Sequence, residues 1–236
     1  MDTEQSIGIE KDHVSIQSIF LSMEEELLSS EIEKNKITQD DSSSSVSSSS
    51  SEYVSYPLKT DWVLWHHSPF NKNWNVSSYD YLYKIKTVED FWSLFSTWET
   101  YLPSIKDSMF FIMKDGVKPI WEDINNKNGG CWSLRIEKEN IKNTWLELSM
   151  ALIGTYITKR KADYDVITGL SISPKKTFSI IKIWCSENTG TVPNFISSSI
   201  PNINTTTALF KIHKESIIAD KAKKTRYPNK SIGRRR

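Results

Sequence analysis

Nearly all aromatic residues of this chain lie in one continuous part of it. All nine Trp, all nine Tyr and eight of the nine Phe fall after residue 52, and residues 1–52 contain only Phe20. Large apolar side chains supply most of a hydrophobic core, so the part that can fold begins near Tyr53. A segment of about 180 residues can bury roughly 70% of its surface as one domain. We therefore predict a folded domain over residues 53–220, followed by a basic, mobile tail over residues 221–236.

The segment before this domain has the opposite charge. Residues 1–52 hold 12 acidic and 3 basic residues, a net charge of −9, so the whole-chain charge of +1 leaves +10 for residues 53–236. The segment ends in a serine run, residues 42–51, interrupted only by Val46. Such a composition cannot offset the entropy lost on ordering, so we predict a disordered acidic and serine-rich arm over residues 1–52. A transient helix in the arm remains an alternative, with an apolar face formed by Ile16, Ile19, Phe20, Met23 and Leu27.

The sequence gives no sign of secretion or of membrane insertion. The N-terminus is acidic and polar rather than a basic region followed by an apolar run. No stretch approaches the roughly 18 consecutive apolar residues of a membrane span. The only cysteines, Cys131 and Cys185, lack the paired spacing of a disulfide scaffold or a zinc site, and we expect both to be buried. We expect a protein of the cytoplasm or nucleus with no membrane partner.

Hydrophobic periodicity predicts seven strands and two helices in the body. The first helix, Thr87–Leu102, begins with a capping-box pattern, and Trp92 lies at the margin of its apolar stripe. The second, Asn140–Ile157, has two apolar stripes, and the second stripe needs a further partner. The predicted strands are Asp61–Trp65, Tyr79–Lys86, Ser108–Lys114, Cys131–Glu137, Tyr164–Ser173, Phe178–Trp184 and Thr206–His213.

The segment Pro119–Trp132 places an aromatic face beside an anion. Trp121 directly precedes Glu122 and Asp123. An indole face attracts a cation by roughly 0.5–2 kcal/mol, and a carboxylate accepts strong charge-assisted hydrogen bonds from N–H donors. N7-methylated guanine is such a ligand, being a flat cationic ring with N–H groups on one edge. The alternative is that Trp121 is a core residue beside a solvated loop. A second tryptophan, Trp74, stands in a polar loop, where large aromatic residues tend to be ligand anchors.

No group of residues has the spacing of a nucleophile triad, a metal site or a phosphate loop, so we expect neither an enzyme nor a cofactor. Glu122 and Asp123 are adjacent, which argues against their sharing a glycosidase site. Exposed aromatics, a carboxylate and lysines are typical of proteins that bind single-stranded nucleic acid. Sugar-binding modules also use tryptophan and a carboxylate, but they do not need the lysines at positions 175, 176 and 182.

Taken together, these residues resemble the eukaryotic translation initiation factor 4E family, which binds the 7-methylguanosine cap of messenger RNA. The matching pieces occur in the family's order across residues 56–184, and eight tryptophans stand at family-like positions. The pieces are Tyr56-Pro57-Leu58, Trp62-Val63-Leu64-Trp65, Lys72-Asn73-Trp74, residues 87–92, residues 114–123, residues 128–132, Trp145-Leu146-Glu147 and Ile183-Trp184.

The resemblance implies an α+β fold: a curved antiparallel β-sheet with about three helices on its convex face and the cap slot on its concave face. Trp74 and Trp121 would sandwich the methylated base, Glu122 would accept its N1–H and 2-amino donors, and Trp184 would lie against the methyl group. Lys175 stands where the family has a phosphate-binding arginine. Ile180 stands where the family has a second phosphate-binding residue, a lysine, for which Lys176 and Lys182 are the candidate replacements.

The resemblance also implies a surface on the convex face for the scaffold subunit of the initiation complex or for competing repressor peptides. It would be formed by Tyr56, Pro57, Val88, Trp92, Leu146, Glu147 and Met150. We thus expect a monomeric cap-binding protein that recruits a scaffold to initiate translation. Two alternatives remain, a cap-binding repressor that does not recruit the scaffold and a cap-processing enzyme. Beyond Trp184 the family's third helix is poorly matched, and Tyr227 stands where many members have a regulatory serine.

Overall fold

Seven antiparallel strands form one sheet in a computed structural model that describes residues 55–201 and 203–226. The strands are β1 (Pro57–His67), β2 (Asp80–Thr87), β3 (Met109–Lys114), β4 (Gly130–Glu137), β5 (Ile167–Pro174), β6 (Phe178–Cys185) and β7 (Leu209–Ile212). Their order across the sheet is β2-β1-β3-β5-β6-β4-β7. All seven predicted strands are present, and the α+β antiparallel architecture is confirmed. The predicted arm, residues 1–52, and residues 227–236 lie outside the described residues.

The first strand is longer than its apolar run. The strand was predicted to end at Trp65, but β1 continues through His66 and His67, which pair with Phe110 and Met109 of β3. Both imidazoles are buried. Histidine is polar enough to look like a loop residue, yet its ring fills a strand position when neighbouring aromatic rings cover it.

Helix α1 (Val88–Tyr101) begins as its sequence predicts. The Thr87 hydroxyl accepts a hydrogen bond from the Asp90 backbone N–H (3.0 Å), and the Asp90 carboxylate accepts one from the Thr87 N–H (2.9 Å). Such a cap contributes about 1 kcal/mol. Phe91 and Trp98 of the predicted stripe are buried, whereas Trp92 is 49% exposed at the margin. The start of this helix therefore depends on residues that are neighbours in the sequence.

Helix α2 (Ile141–Ile153) ends four residues before its predicted end. The Tyr156 N–H bonds the Ala151 carbonyl and the Thr155 N–H bonds the Leu152 carbonyl, which is a Schellman turn. Thr155 adopts a φ of 62°, a left-handed conformation that β-branched residues disfavour, so periodicity alone continued the helix through it. Of the core stripe predicted for this helix, Ile141, Trp145, Leu148 and Leu152 are buried, whereas Tyr156 lies beyond the helix end and is 43% exposed.

A third helix, α3 (His213–Arg226), follows β7; the resemblance implied about three helices, but hydrophobic periodicity did not locate this one. It extends six residues past the predicted end of the domain at residue 220. The buried residues in the first turn of α3 are His213 and Ser216, while Ile218 is 59% exposed. The helix therefore lacks the buried apolar stripe from which a helix is predicted. None of the helices in the described ranges has the length and apolarity needed to cross a bilayer.

The two faces of the sheet pack against different parts of the chain. On one face, Trp98 of α1 packs edge-on against Phe110 of β3, with ring centroids 4.8 Å apart. The opposite face, called here the site face, carries an aromatic cluster formed by Val63, Trp65, Tyr79, Phe111, Met113, Val117 and Trp184. Because α1 and α2 cover one face, the second face is left for loops, for the start of α3 at His213, and for a ligand.

Candidate functional site

Trp74 is held in a short loop after β1 by local hydrogen bonds. The Asn71 side chain accepts from the Asn73 N–H (2.9 Å), and the Asn73 side chain accepts from the Asn75 N–H (3.1 Å). The Ser78 hydroxyl donates to the backbone carbonyls of Asn73 (2.8 Å) and Asn75 (2.7 Å). These bonds fix the loop, yet Trp74 stays 51% exposed. An ordered but exposed indole is typical of a ligand-stacking position.

His67 supports Trp74 from behind. The two rings are stacked, with centroids 4.4 Å apart and planes 5° from parallel. His67 Nε2 lies 2.8 Å from the Asn73 carbonyl, so this nitrogen carries the proton and donates it. One face of the Trp74 indole is therefore covered by protein and the other is open. Sequence analysis missed this role because nothing in the local pattern links the two residues.

The two adjacent carboxylates of the loop before β4, Glu122 and Asp123, have different surroundings. Asp123 accepts hydrogen bonds from the backbone N–H groups of Lys118 (3.1 Å) and Asn125 (2.9 Å) and so holds the loop together. Among the described residues, no hydrogen bond or ion pair engages Glu122, which is exposed. Trp121 is partly buried and packs against the aromatic cluster. The loop thus presents an indole and a free carboxylate side by side.

Tyr79 links the two loops. Its ring lies 4.6 Å from that of His67 and 6.5 Å from that of Trp74. Burial raises the pKa of the Tyr79 phenol, and the negative charge of Glu122 raises it further. Glu122 therefore acts electrostatically on the same cluster that carries Trp74. Trp121 packs on this aromatic cluster and Trp74 adjoins it through Tyr79, while the two-sided stack on a base stays a prediction.

Trp184 lies in the floor of the site and is only 3% exposed. Its indole N–H donates to the Ser171 hydroxyl (2.9 Å), and its ring lies 4.8 Å from that of His213. A direct contact between Trp184 and a ligand methyl group stays a prediction. The burial itself shows that Trp184 also has a structural role beneath the two exposed loops.

The three predicted lysines are divided between two places. Lys182 is half-buried on the site face, two residues from Trp184 on β6. Lys175 and Lys176 are exposed in the β5–β6 turn. Ile180 shares the face of Lys182, because strand residues two apart point the same way. The site face therefore has a cation at Lys182, but the neighbouring position 180, where the resemblance implies a lysine, is apolar.

His213 contributes a pH dependence to stability. Its Nδ1 donates to the Asn126 carbonyl (2.9 Å), and its buried Nε2 has no partner among the described residues. Burial is the main cause that lowers the pKa of His213 from 6.5 to about 4; the bond to Asn126 opposes this shift, and the nearby Lys182 charge adds to it. The unfolded chain therefore takes up a proton below about pH 6.5 that the native protein refuses until about pH 4.

We expect the free energy of unfolding to fall by up to about 1.4 kcal/mol per pH unit between pH 6.5 and pH 4 through this group. Urea unfolding at several pH values would measure it, and His213→Gln is the control because it cannot titrate. Parallel pH profiles for the two proteins would contradict the assignment.

The residues predicted for the partner surface fall at the start of α1 and on α2. The Tyr56 carbonyl accepts from the Val88 N–H (2.9 Å), and the Tyr56 N–H donates to the Glu89 carboxylate (3.2 Å). Tyr56 is 60% exposed and Trp92 is 49% exposed. Half-buried residues of both helices complete it: Val88, Leu146, Glu147 and Met150. A cavity of about 400 Å³ adjoins it between α1 and α2, lined in part by Phe95, Trp98, Trp145 and Leu146.

An antiparallel sheet with helices on one face and loop tryptophans beside a free carboxylate on the other defines a ligand-binding protein of the α+β class. Comparison with known sequences gives the family. The chain belongs to the eukaryotic initiation factor 4E family, whose sequence model matches residues 57–228.

Individual relatives are moderately similar. Initiation factor 4E-3 of Caenorhabditis elegans is 28% identical over 179 residues, which are 68% of each chain. Initiation factor 4E of Xenopus laevis is 31% identical over 141 residues, covering 58% of this chain and 64% of the relative. The chain thus spans about two thirds of the length of these relatives.

Solved structures share the fold. A complex of Ascaris suum eIF4E-3 with the m7G cap has a TM-score of 0.50 and 28% identity, covering 57% of this chain and 76% of the other. A complex of C. elegans eIF4E-3 with the 4E-binding protein Mextli and a cap analog has a TM-score of 0.56 and 25% identity, covering 70% and 96%.

Proposed function

We propose that this protein binds the 7-methylguanosine cap of messenger RNA and recruits a scaffold subunit to initiate translation in the cytoplasm. The observation that carries the proposal is the gathering of Trp74, Trp121 and Glu122 around one aromatic cluster on the site face. The A. suum relative in complex with the m7G cap supports it. The proposed mechanism is equilibrium binding rather than catalysis.

Recognition follows from the charge of the base. Methylation at N7 makes guanine cationic, so its ring is attracted to the open face of Trp74 and to Trp121. Glu122 is free to accept hydrogen bonds from the N1–H and the 2-amino group, since of the two adjacent carboxylates only Asp123 takes part in the hydrogen bonds of the loop. These bonds are charge-assisted and about twice as strong as neutral ones. Unmethylated guanine keeps the same edge but lacks the positive ring.

Titration of intrinsic tryptophan fluorescence with 7-methyl-GTP and, in parallel, GTP tests the proposal. We expect saturable quenching by the methylated nucleotide with at least about a tenfold preference, which corresponds to roughly 1.4 kcal/mol. Equal affinities for the two nucleotides, or no quenching by either, would refute a slot for a cationic base. The phosphates are common to both ligands, so the comparison isolates the methyl group and its charge.

The helical face supports the recruiting half of the proposal. Tyr56 and Trp92 are exposed aromatic residues, and Leu146 and Met150 of α2 are half-buried, so these side chains could be covered by the apolar face of a partner helix. The C. elegans relative in complex with the 4E-binding protein Mextli also supports it. A repressor would bind the cap through the same site face but would not engage the scaffold.

A further inference from the structure

The pairing register divides the site face into an aromatic half and a cationic half. One row across the sheet runs from Trp65 to Phe111, Ser171, Lys182 and Ser133, each paired with the next. Residues directly opposite one another in antiparallel strands point to the same face. The aromatic rings of this row stand on β1 and β3, and its lysine stands on β6. Small residues of β5 lie between the two halves.

Strand β5, which lies between the two halves, carries no large side chain on the site face. Gly169 has no room for a side chain, because a Cβ there would lie 2.5 Å from Met113 Sδ and 2.6 Å from the Ile112 carbonyl oxygen. Ser171 and Ser173 are the other β5 residues on this face, and both are buried. A nucleotide whose ring lies over the aromatic half can therefore extend its phosphates across β5 without meeting a large β5 side chain.

Arg135 stands in the cationic half directly opposite Ile180. The two residues pair across β4 and β6, so Arg135 shares the site face with Lys182. The guanidinium lies over the Phe178 ring, 4.3 Å from its centroid, and Arg135 Nε lies 3.4 Å from the Glu137 carboxylate. The Arg135 side chain is 62% exposed. These weak contacts keep an available guanidinium beside an apolar position.

We propose that Arg135, together with Lys182, binds the phosphate chain of the nucleotide. This inference rests on the proposed cap-binding function and identifies a residue that sequence analysis overlooked. Ile180 cannot contact a phosphate through hydrogen bonds, whereas the guanidinium of its cross-strand neighbour offers a planar fork that matches two phosphate oxygens. The Glu137 carboxylate competes for the same guanidinium, so it opposes phosphate binding.

A phosphate-length series tests the assignment. Affinities for 7-methyl-GTP and 7-methyl-GMP would be measured for the full-length protein and for Arg135→Ala. We expect about a five- to tenfold loss for the triphosphate and less than about a twofold loss for the monophosphate, since the lost bonds are to the distal phosphates. Lys211→Ala is the matched control: it removes one positive charge from the same face, but at a position opposite Cys131.

Two further variants sharpen the test. Ile180→Lys in the Arg135→Ala background should restore triphosphate affinity, because it returns a cation to the adjacent position. Glu137→Gln alone should strengthen triphosphate binding. Equal losses in Arg135→Ala and Lys211→Ala, or equal losses for mono- and triphosphate, would overturn the role of Arg135. Absence of methyl-dependent binding in the unsubstituted protein would instead overturn the proposed function.

Discussion

Replacing either Trp74 or Trp121 by leucine should weaken binding of 7-methyl-GTP by about 1–3 kcal/mol, which is roughly a 5- to 150-fold rise in Kd. Leucine keeps an apolar surface but removes the π-face that attracts a cationic ring. Trp74 is half exposed and stacks on the protein through one face only, so its loss should leave the fold intact. Isothermal calorimetry would measure the affinities without relying on the substituted fluorophore.

Trp92→Leu provides the matched control for this pair. It removes an exposed tryptophan of similar accessibility from α1 on the other side of the sheet, so cap affinity should not change. Thermal unfolding of each variant would separate loss of stacking from loss of structure, which matters most for Trp121 because its ring packs on the aromatic cluster. Unchanged cap affinity in both Trp74→Leu and Trp121→Leu would rule out a two-sided stack.

Trp92→Ala should weaken binding of a scaffold-derived helical peptide by at least about 2 kcal/mol, as expected for a tryptophan at the centre of an interface. The Trp92 indole is 49% exposed on α1, so a partner helix that docks there would bury it. A pull-down on immobilised peptide, followed by a titration in solution, would measure the loss. Cap affinity of the same variant should be unchanged.

Trp74→Leu serves as the reciprocal control, since it should impair cap binding and leave peptide binding intact. A protein that binds 7-methyl-GTP but no scaffold peptide, even before substitution, would favour the repressor alternative. Peptide binding that survives Trp92→Ala would place the partner surface elsewhere on the molecule.

Predictions from the sequence succeeded where neighbouring residues decide the outcome. The start of α1 depends on Thr87 and Asp90, three residues apart, and the structure contains the expected bonds. The seven strands follow from apolar runs separated by turn residues. The predicted end of α2 was wrong because Thr155 adopts a left-handed backbone conformation that its residue type disfavours. Hydrophobic periodicity did not locate the third helix, α3, because its buried residues in the first turn are histidine and serine rather than an apolar stripe.

By itself the sequence determined which residues form the strands and the first helix, and it singled out Trp74, Trp121 and Glu122 as the residues to examine. These conclusions depend on composition and on short-range periodicity, which a chain carries along its length. Only the tertiary structure decided that His67 stacks on Trp74, that Asp123 holds the loop while Glu122 stays free, and that Arg135 stands opposite Ile180. Such relations depend on loop closure and on strand register, because residues far apart in the chain become neighbours only when the whole sheet has formed.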